Sequence, residues 1–323
     1  MSFDSVMKDG EANPIALAPP KLDSTYMVMF TSGDPKGVVM SHRNLSTACM
    51  SVARAVPLEK DDVYVSYLPL AHIMEHLCVL HLLISGASLG FWRGHIQTLW
   101  DDLKVLRPTI FAGVPSVFNR MYDGIHSNLL KSNPLRRLFF SYAYSAKRKQ
   151  VEAGEDTAFW DKLVFNKMSD PIGGRIRLFL SAAAPLTPKV SNFLKMCFCC
   201  PVIQAYGLTE TTGALTLTRL ELVNSKPKQQ IGTVGEPLDC SEIKLIPAPE
   251  MDIFEENVGE VCVRGANVFK GYYGEGGQII SNGVFDNEGW FHTGDIASWD
   301  PGSSTLSIID TKKNLFKLAQ GEY

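Results

Sequence analysis

The sequence has little excess charge, few cysteines and no apolar run long enough to cross a membrane. Its formal net charge is −3 over 323 residues, which gives no electrostatic reason to expect nucleic acid as a partner. Seven cysteines are too few and too unevenly placed for a secreted disulfide scaffold, so they indicate a reducing compartment.

The most apolar stretch, residues 77–92, contains His81 and two glycines. It is shorter than the roughly 20 residues that a transmembrane helix needs. We therefore expect a buried helix, a turn and a strand in this stretch, and no transmembrane segment. Residues 1–14 contain acidic side chains and no apolar core, so we do not expect a signal peptide.

Strand-like and helix-like segments alternate through the first 225 residues. Ser41 is a good N-cap for a helix over residues 43–56. The strand-like runs are 24–30, 36–41, 62–70, 87–92, 109–115, 175–183 and 201–207, and further helix-like runs are 114–130 and 185–197. This alternation predicts an α/β domain with largely parallel sheets, whose ligands bind at the carboxyl ends of the strands.

After about residue 225 the pattern changes to short strands separated by Gly, Pro, Asp and Asn. The strand-like runs are 230–238, 241–247, 259–265, 290–299 and 304–310. They predict a smaller antiparallel, β-barrel-like subdomain over residues 226–309. Residues 226–230 are the predicted junction, which makes 1–225 the α/β core.

The aromatic and basic segment 132–156 has two interpretations. Asn133 and Pro134 favour a helix start, and Lys147, Arg148 and Lys149 suit its C-terminal end. Such a helix can lie on an anionic membrane surface. More often its aromatic side chains pack against the core, and we prefer this second interpretation.

Three cysteines lie close together at positions 197, 199 and 200. A tetrahedral metal site normally pairs two separated clusters, and the sequence contains no second cluster. The flanking residues are apolar. We therefore interpret these cysteines as buried thiols before a core strand.

The stretch MFTSGDPKGVVMSH, residues 29–42, has the composition of a phosphate-binding loop. It contains a hydroxyl pair, two glycines and a lysine: Thr31, Ser32, Gly33, Lys36 and Gly37. A Walker loop places its lysine after the second glycine and at the start of a helix. Here the lysine precedes the glycine and valines follow, so the Walker interpretation fails.

The stretch QAYGLTETTG, residues 204–213, contains four residues suited to a nucleotide and its magnesium ion. Tyr206 offers a flat face for a base, and Gly207 allows the backbone to approach closely. Thr209 can donate to a phosphate oxygen, and Glu210 offers a hard oxygen ligand for Mg²⁺. Alone, such a turn is more typical of a solvated helix start.

Five motifs, taken in order, resemble those of the adenylate-forming superfamily, which includes acyl-CoA synthetases, luciferases and peptide-synthetase adenylation domains. They are TSG…PKG (31–37), LFLSAAAPL (178–186), QAYGLTETTG (204–213), GWFHTGDI (289–296) and IIDTKKNLFKLAQGEY (308–323). The stretches GEVCVRGANVFKGYY and FKLAQGEY look like the long-chain fatty acyl-CoA synthetase branch. The resemblance spans about residue 12 to residue 323.

The resemblance implies the N-terminal-domain fold of that superfamily and a set of site residues. Lys36, Thr209 and Glu210 would act on the phosphates, Glu210 as the magnesium ligand. His72 matches a position near the reacting carboxylate, although a hydrogen-bonded core histidine is equally compatible with the pattern. The implied nucleotide-binding residues are Thr31, Ser32, Gly33, Gly37, Ala182, Ala183, Ala184, Gln204, Ala205, Tyr206, Gly207 and, for the ribose hydroxyls, Asp295.

The resemblance also implies the chemistry of a long-chain fatty acid–CoA ligase. A fatty carboxylate attacks the α-phosphate of Mg·ATP to give acyl-adenylate, and coenzyme A then displaces AMP. The expected partners are therefore fatty acid, ATP, Mg²⁺ and coenzyme A. We expect a cytoplasmic protein or one held peripherally on the endoplasmic reticulum or peroxisome.

The sequence departs from the superfamily pattern in three places. The loop after Thr31 lacks three residues equivalent to Thr-Thr-Gly, about 10 Å of contour. Thr311 stands where the superfamily usually has arginine. Residues 310–323 match only the start of a hinge, with the C-terminal domain absent. These departures favour, as an alternative, a catalytically impaired nucleotide- or acyl-binding protein; a ligase for aryl or medium-chain acids is a third interpretation.

Overall fold

A computed structural model of the chain describes residues 2–31, 35–220 and 232–312. The helices are α1 (Phe3–Ala12), α2 (His42–Ala55), α3 (Ile73–Ser85), α4 (Leu99–Leu106), α5 (Pro115–Lys131), α6 (Pro134–Ala153), α7 (Ala158–Trp160) and α8 (Pro188–Phe198). The strands are β1 (Thr25–Phe30), β2 (Gly37–Ser41), β3 (Val63–Ser66), β4 (Ser88–Phe91), β5 (Ile110–Gly113), β6 (Leu178–Ser181), β7 (Val202–Leu208), β8 (Gly213–Leu217), β9 (Glu236–Pro237), β10 (Ser241–Ile246), β11 (Val258–Gly265), β12 (Tyr272–Tyr273), β13 (Ile279–Ile280), β14 (Phe291–Asp300) and β15 (Thr305–Thr311).

The largest sheet has seven strands in the order β4-β3-β5-β6-β7-β8-β9. The first five are parallel, and β8 and β9 continue the sheet in antiparallel pairing. Ile110 of β5 lies opposite Leu178 of β6, and both are buried, as expected for a parallel sheet covered on both faces. The predicted α/β architecture with a largely parallel sheet is confirmed.

Two further sheets are antiparallel and contain four strands each. One has the order β10-β11-β14-β15. The other has the order β1-β2-β12-β13, in which Val38 of β2 pairs with Tyr272 of β12. This second sheet therefore combines strands from both sides of the predicted junction at residues 226–230. The junction itself lies outside the described residues, and of the predicted strand over 230–238 the structure has only β9.

The start of α2 is fixed by the predicted N-cap. The Ser41 hydroxyl and the Asn44 side chain form a reciprocal capping box. Asn44 Nδ2 also donates to the carbonyl oxygens of Ala266 and Val268, at 2.8 and 2.7 Å. Because both contacts cross more than 200 residues of sequence, this cap also ties α2 to the loop before β12.

The two faces of the large sheet carry different cores. On one face, Phe111, Phe118 and Phe179 pack edge to face within a cluster that includes residues of α5 and α8. On the other face, Tyr64 and Leu178 pack with residues of α3. This second face borders the cavity described below.

The helix predicted over the basic segment is α6, capped by Asn133 with Pro134 in the first turn. Lys147 is fully buried, and its ammonium lies 2.6 Å from an Asp161 carboxylate oxygen and 3.1 Å from Cys199 Sγ. A buried ammonium needs such partners. The other face of α6 is exposed, and among the described residues no helix is both long and apolar enough to span a bilayer.

The cysteine cluster is largely buried, in agreement with its sequence interpretation. Cys197 and Cys200 are fully or almost fully buried, whereas Cys199 is half-buried. Burial raises the pKa of both buried thiols well above its ordinary value. These thiols are therefore protonated, apolar-like core side chains.

Candidate active site

A cavity of about 890 Å³ lies where the carboxyl ends of β6 and β7 meet the antiparallel strands. Ten of the residues predicted for the site line it: Thr31, Lys36, His72, Ala182, Ala183, Ala205, Tyr206, Gly207, Thr209 and Glu210. The structure thus brings together side chains that are more than 170 residues apart in sequence. Ser32 and Gly33 lie outside the described residues.

One end of the cavity is polar. Thr209 and Glu210 follow β7 in a short 3₁₀ turn, and Lys36 lies just before β2. The Tyr272 hydroxyl donates to Glu210 Oε1 at 2.9 Å, and the Lys36 ammonium lies 5.4 Å from the centre of the Tyr272 ring. A cation, a carboxylate and a hydroxyl therefore surround one space, as an anionic ligand with a divalent metal requires.

Tyr206 and Asp295 connect the two parts of the site. The Tyr206 hydroxyl, on β7, donates to Asp295 Oδ2, on β14, at 2.8 Å. Burial, reinforced by the negative charge of Asp295, raises the pKa of Tyr206 well above its usual value. The phenol therefore stays protonated and holds Asp295 beside the cavity, although the Asp295 side chain does not itself line it.

Two backbone features shape the lining. A Cβ at Gly207 would lie 1.7 Å from the carbonyl oxygen of Gly213, because β7 and β8 approach closely at an irregular register. Only glycine fits there. Ala183 has a φ of 73°. A residue with a Cβ rarely adopts this left-handed conformation, and the residues that do are frequently found at functional sites.

Two predicted residues support the site from outside the lining. Gln204 is buried, and its Oε1 accepts a hydrogen bond from the Leu186 backbone N–H at 3.2 Å. It therefore positions the loop that follows β6. A Cβ at Gly37 would come within 3.0 Å of side-chain atoms of Val28 and Tyr273, so Gly37 allows β1, β2 and β12 to pack closely.

His72 caps α3 and faces the cavity. Its Nδ1 accepts a hydrogen bond from the Met74 backbone N–H at 3.3 Å. Burial lowers the pKa of His72 below its ordinary value, which favours the neutral ring. With Nδ1 as acceptor, the neutral ring carries its proton on Nε2.

Glu260 is a lining residue that the sequence analysis missed. It is only 4% exposed, and its carboxylate binds the Lys312 ammonium at 2.6 Å and the Gly294 backbone N–H at 3.1 Å. Lys312 also contacts Glu250. Glu260, Cys262 and His292 bring potential metal donors within 4.8 Å of one another, but the ammonium of Lys312 already neutralises the carboxylate, which weighs against a cation there.

Thr311, which stands in place of the usual arginine, lies directly opposite Asp295 in the β14–β15 pairing. Its hydroxyl donates to the Gly294 carbonyl oxygen at 3.3 Å. Lys312 and Lys313 follow Thr311 in sequence and could replace the arginine in charge but not in geometry. Lys312 is held by Glu250 and Glu260, and Lys313 lies outside the described residues.

The other end of the cavity is apolar. It follows α3 along the face of the large sheet, and its lining includes Val52, Val56, Leu58, Leu77, Leu82, Ile110, Leu178 and Leu180. His72 and His81 both line the cavity, nine positions apart on α3 and its cap. At 1.5 Å per residue they are about 13 Å apart along the helix axis. The site can therefore bury a long apolar group beside a polar, nucleotide-sized space.

A family model described as AMP-binding enzyme matches residues 2–273. The chain is 41% identical to peroxisomal long chain acyl-CoA synthetase 7 of Arabidopsis thaliana, with 100% of this chain and 46% of that protein covered. It is 41% identical to fatty acyl-CoA synthetase A of Dictyostelium discoideum, with 98% and 47% covered. The chain thus spans about half the length of these curated relatives.

Solved structures share the fold at lower identity. ATP-bound MatB from Rhodopseudomonas palustris superposes with a TM-score of 0.67 at 22% identity, covering 95% of this chain and 52% of that one. The N-terminal domain of FACL13 from Mycobacterium tuberculosis gives 0.64 at 22% identity, covering 95% and 66%. The predicted fold of the adenylate-forming N-terminal domain is confirmed.

Proposed function

Because the chain belongs to the AMP-binding enzyme family, we propose that it activates a long-chain fatty acid with ATP, as part of a fatty acid–CoA ligase. The observation that carries this proposal is the continuity of the cavity. A polar end with Lys36, Thr209 and Glu210 opens into an apolar end large enough for an alkyl chain. A carboxylate at the boundary would meet the phosphates while its tail is removed from water.

The polar end fits Mg·ATP in chemistry as well as in charge. Glu210 offers the carboxylate oxygens that Mg²⁺ prefers, and Thr209 and Lys36 offer donors for phosphate oxygens. Asp295 would accept from two ribose hydroxyls, since it is held in place by Tyr206. Mg²⁺, when bound, would neutralise charge on the phosphates.

His72 would act at the boundary between the two ends. Its neutral ring, protonated on Nε2, can donate to a carboxylate without competing for a proton at neutral pH. The chain's own residues therefore position and stabilise charge, which is what phosphoryl chemistry chiefly requires. No nucleophilic side chain is needed. Coenzyme A is the proposed second co-substrate, on the strength of the relatives' names.

A second candidate is a binding protein that holds nucleotide and acyl chain without turnover. Two observations favour it: Thr311 faces Asp295 where arginine is usual, and the loop after Thr31 is three residues short. A hydroxyl cannot replace the two-pronged, charged donor set of a guanidinium. Such a protein would bind its ligands in the same cavity but would not catalyse adenylate formation.

Fatty-acid-dependent ATP–pyrophosphate exchange separates the two candidates. With palmitate and Mg·ATP, the ligase proposal expects exchange that Glu210→Gln and Asp295→Asn each reduce by roughly a hundredfold. Glu256→Gln, the same change at an exposed site away from the cavity, should leave it unchanged. Binding of AMP and palmitate without exchange would favour the binding protein, and binding of neither would overturn both.

Peripheral membrane contact is a further proposal, carried by the exposed face of α6. Leu135, Leu138 and Tyr142 are exposed at positions three and four residues apart, with Arg136 and Arg137 between them, a pattern suited to an anionic lipid surface. One relative is named as peroxisomal, so an organelle surface is the proposed location. Co-sedimentation with anionic phospholipid vesicles should be lost in Leu138→Asp and kept in Val105→Asp, which also places an aspartate at an exposed apolar residue, on α4. Equal co-sedimentation of the two variants would refute the proposal.

A further inference from the structure

His81 is an unusual residue for the apolar end of the cavity. It is 5% exposed and lines the cavity among leucines, valines and isoleucines. Its Nε2 is buried and has no hydrogen-bond partner in residues 2–31, 35–220 and 232–312. A buried polar atom without a partner is unfavourable, and a native structure that keeps one usually has a use for it.

The polar groups near His81 are already engaged with one another. The Tyr64 hydroxyl, which also lines the cavity, donates to Glu75 Oε2 at 2.6 Å. Asp62 is bound by Arg177 and by the Thr109 hydroxyl, the latter at 2.7 Å. Neither the Tyr64 hydroxyl nor Asp62 is hydrogen-bonded to His81, and the cavity that His81 lines offers space for a partner.

The His81 ring is suited to an uncharged partner. Burial lowers the pKa of His81 to about 4, opposed by the charge of Asp62, so the ring is neutral at physiological pH. A neutral imidazole has one donor and one acceptor nitrogen, and a hydroxyl group can serve either. A carboxylate would instead lose its hydration and gain no positive partner, with Asp62 nearby.

His81 lies at the end of the cavity that is remote from the phosphate-binding residues. It is near the C-terminal end of α3, whereas His72 caps the N-terminal end, about 13 Å away. Ile110 and Leu178, which line the same end, begin β5 and β6, while Ala182 and Ala183 follow the carboxyl end of β6. An acyl chain whose carboxylate lies near His72 would therefore bring its distal carbons to His81.

We propose that the preferred acyl substrate carries a hydroxyl group near its distal end, and that His81 Nε2 is the hydrogen-bond partner of that hydroxyl. This proposal rests on the proposed function, because it assumes that the apolar end holds a fatty acyl chain. His81 is then a specificity-determining residue. It distinguishes an ω-hydroxy fatty acid from its unsubstituted parent, which would leave Nε2 unpaired.

The test is equilibrium binding to the chain, measured by displacement of a fluorescent polyene fatty acid. Unsubstituted and ω-hydroxy fatty acids of increasing length are compared. The proposal expects an optimum length at which the ω-hydroxy acid binds about tenfold more tightly than its parent, as one additional hydrogen bond allows. His81→Leu should bind the two acids equally and the parent at least as well as before.

A matched control uses the same substitution on the same helix. His76→Leu changes a histidine that does not line this cavity and whose Nε2 contacts the Tyr26 hydroxyl, so it should keep the preference. If both acids bind equally to the unaltered chain at every length, or if His81→Leu keeps the preference, the inference is wrong while the proposed function stands. If neither acid displaces the probe, the cavity does not bind fatty acids, and the proposed function itself is wrong.

Discussion

At the scale of single residues, His81 should make the stability of the protein depend on pH. Burial lowers its folded-state pKa to about 4, below the value of about 6.5 in an unfolded chain. Between these values the unfolded state binds the proton more readily, so the free energy of unfolding decreases as pH falls from about 6.5 to 4. The full shift corresponds to on the order of 2 to 3 kcal/mol in the free energy of unfolding.

Urea unfolding from pH 7 to pH 4 measures this dependence. His81→Leu should be more stable than the unaltered protein at pH 7 by roughly 1 kcal/mol, because it removes an unpaired buried nitrogen. Its advantage should grow toward pH 4. Glu75, whose pKa burial raises, is present in both proteins, so its contribution largely cancels in the difference. A constant difference across this range would contradict the assignment of a neutral, buried His81.

Single residues also show where sequence reasoning stops. Tyr206, Thr209 and Glu210 could be predicted because they stand together in one motif after a strand. His81 and Glu260 could not, because their importance comes from burial and from partners distant in sequence. Glu260 meets Lys312 across 52 positions, and nothing local to either residue indicates the pair.

At the scale of elements, the β7–β8 turn depends on one glycine. Gly207→Ala would place a methyl group 1.7 Å from a backbone carbonyl oxygen, and backbone on both strands would have to move. We expect a loss of about 3 kcal/mol or more in the free energy of unfolding, and weaker AMP binding because Tyr206 and Thr209 flank the position. Denaturant titration and calorimetric AMP binding measure these two effects.

Gly10→Ala is the matched control for that substitution. Gly10 lies in the exposed helix α1, and no atom lies within 4 Å of the position that an alanine methyl group would occupy there. Alanine should therefore change stability by no more than about 1 kcal/mol. If Gly207→Ala behaved like this control, the close approach of β7 and β8 would not be a requirement of the fold.

The elements themselves were predictable where the pattern was long and local. The core strands β5, β6 and β7 and the helices α2, α5, α6 and α8 correspond to apolar runs, caps and Pro positions that the sequence displays. The two-residue strands β12 and β13 were not, because two residues carry no periodicity, whereas β9 lies within a predicted but longer strand. Their pairing is set by distant partners, as when β12 joins β2.

At the scale of the whole molecule, the cavity joins parts of the chain that are far apart in sequence, and the two residues Thr31 and Lys36 bring the segment before β2 to its lining. Thr31 and Lys36 both line the cavity. The Thr31 N–H donates to the Lys36 carbonyl oxygen at 3.1 Å, and the Lys36 N–H donates to Thr31 Oγ1 at 3.0 Å. These two hydrogen bonds fix the positions of Thr31 and Lys36. The distance over which the loop can extend therefore depends on the number of residues between them.

Lengthening that loop should therefore improve its contacts with nucleotide phosphates. Inserting Thr-Thr-Gly between Gly33 and Asp34 adds roughly 10 Å of contour and several backbone and hydroxyl donors, and each hydrogen bond to a charged phosphate contributes about 1.5–3 kcal/mol. We expect the apparent ATP affinity in palmitate-dependent ATP–pyrophosphate exchange to rise about tenfold or more. The same insertion after Gly302, in the exposed turn between β14 and β15, should leave the apparent ATP affinity unchanged. If the two insertions behave alike, the length of the loop does not limit ATP binding, and the substitution at Thr311 becomes the stronger reason for any loss of activity.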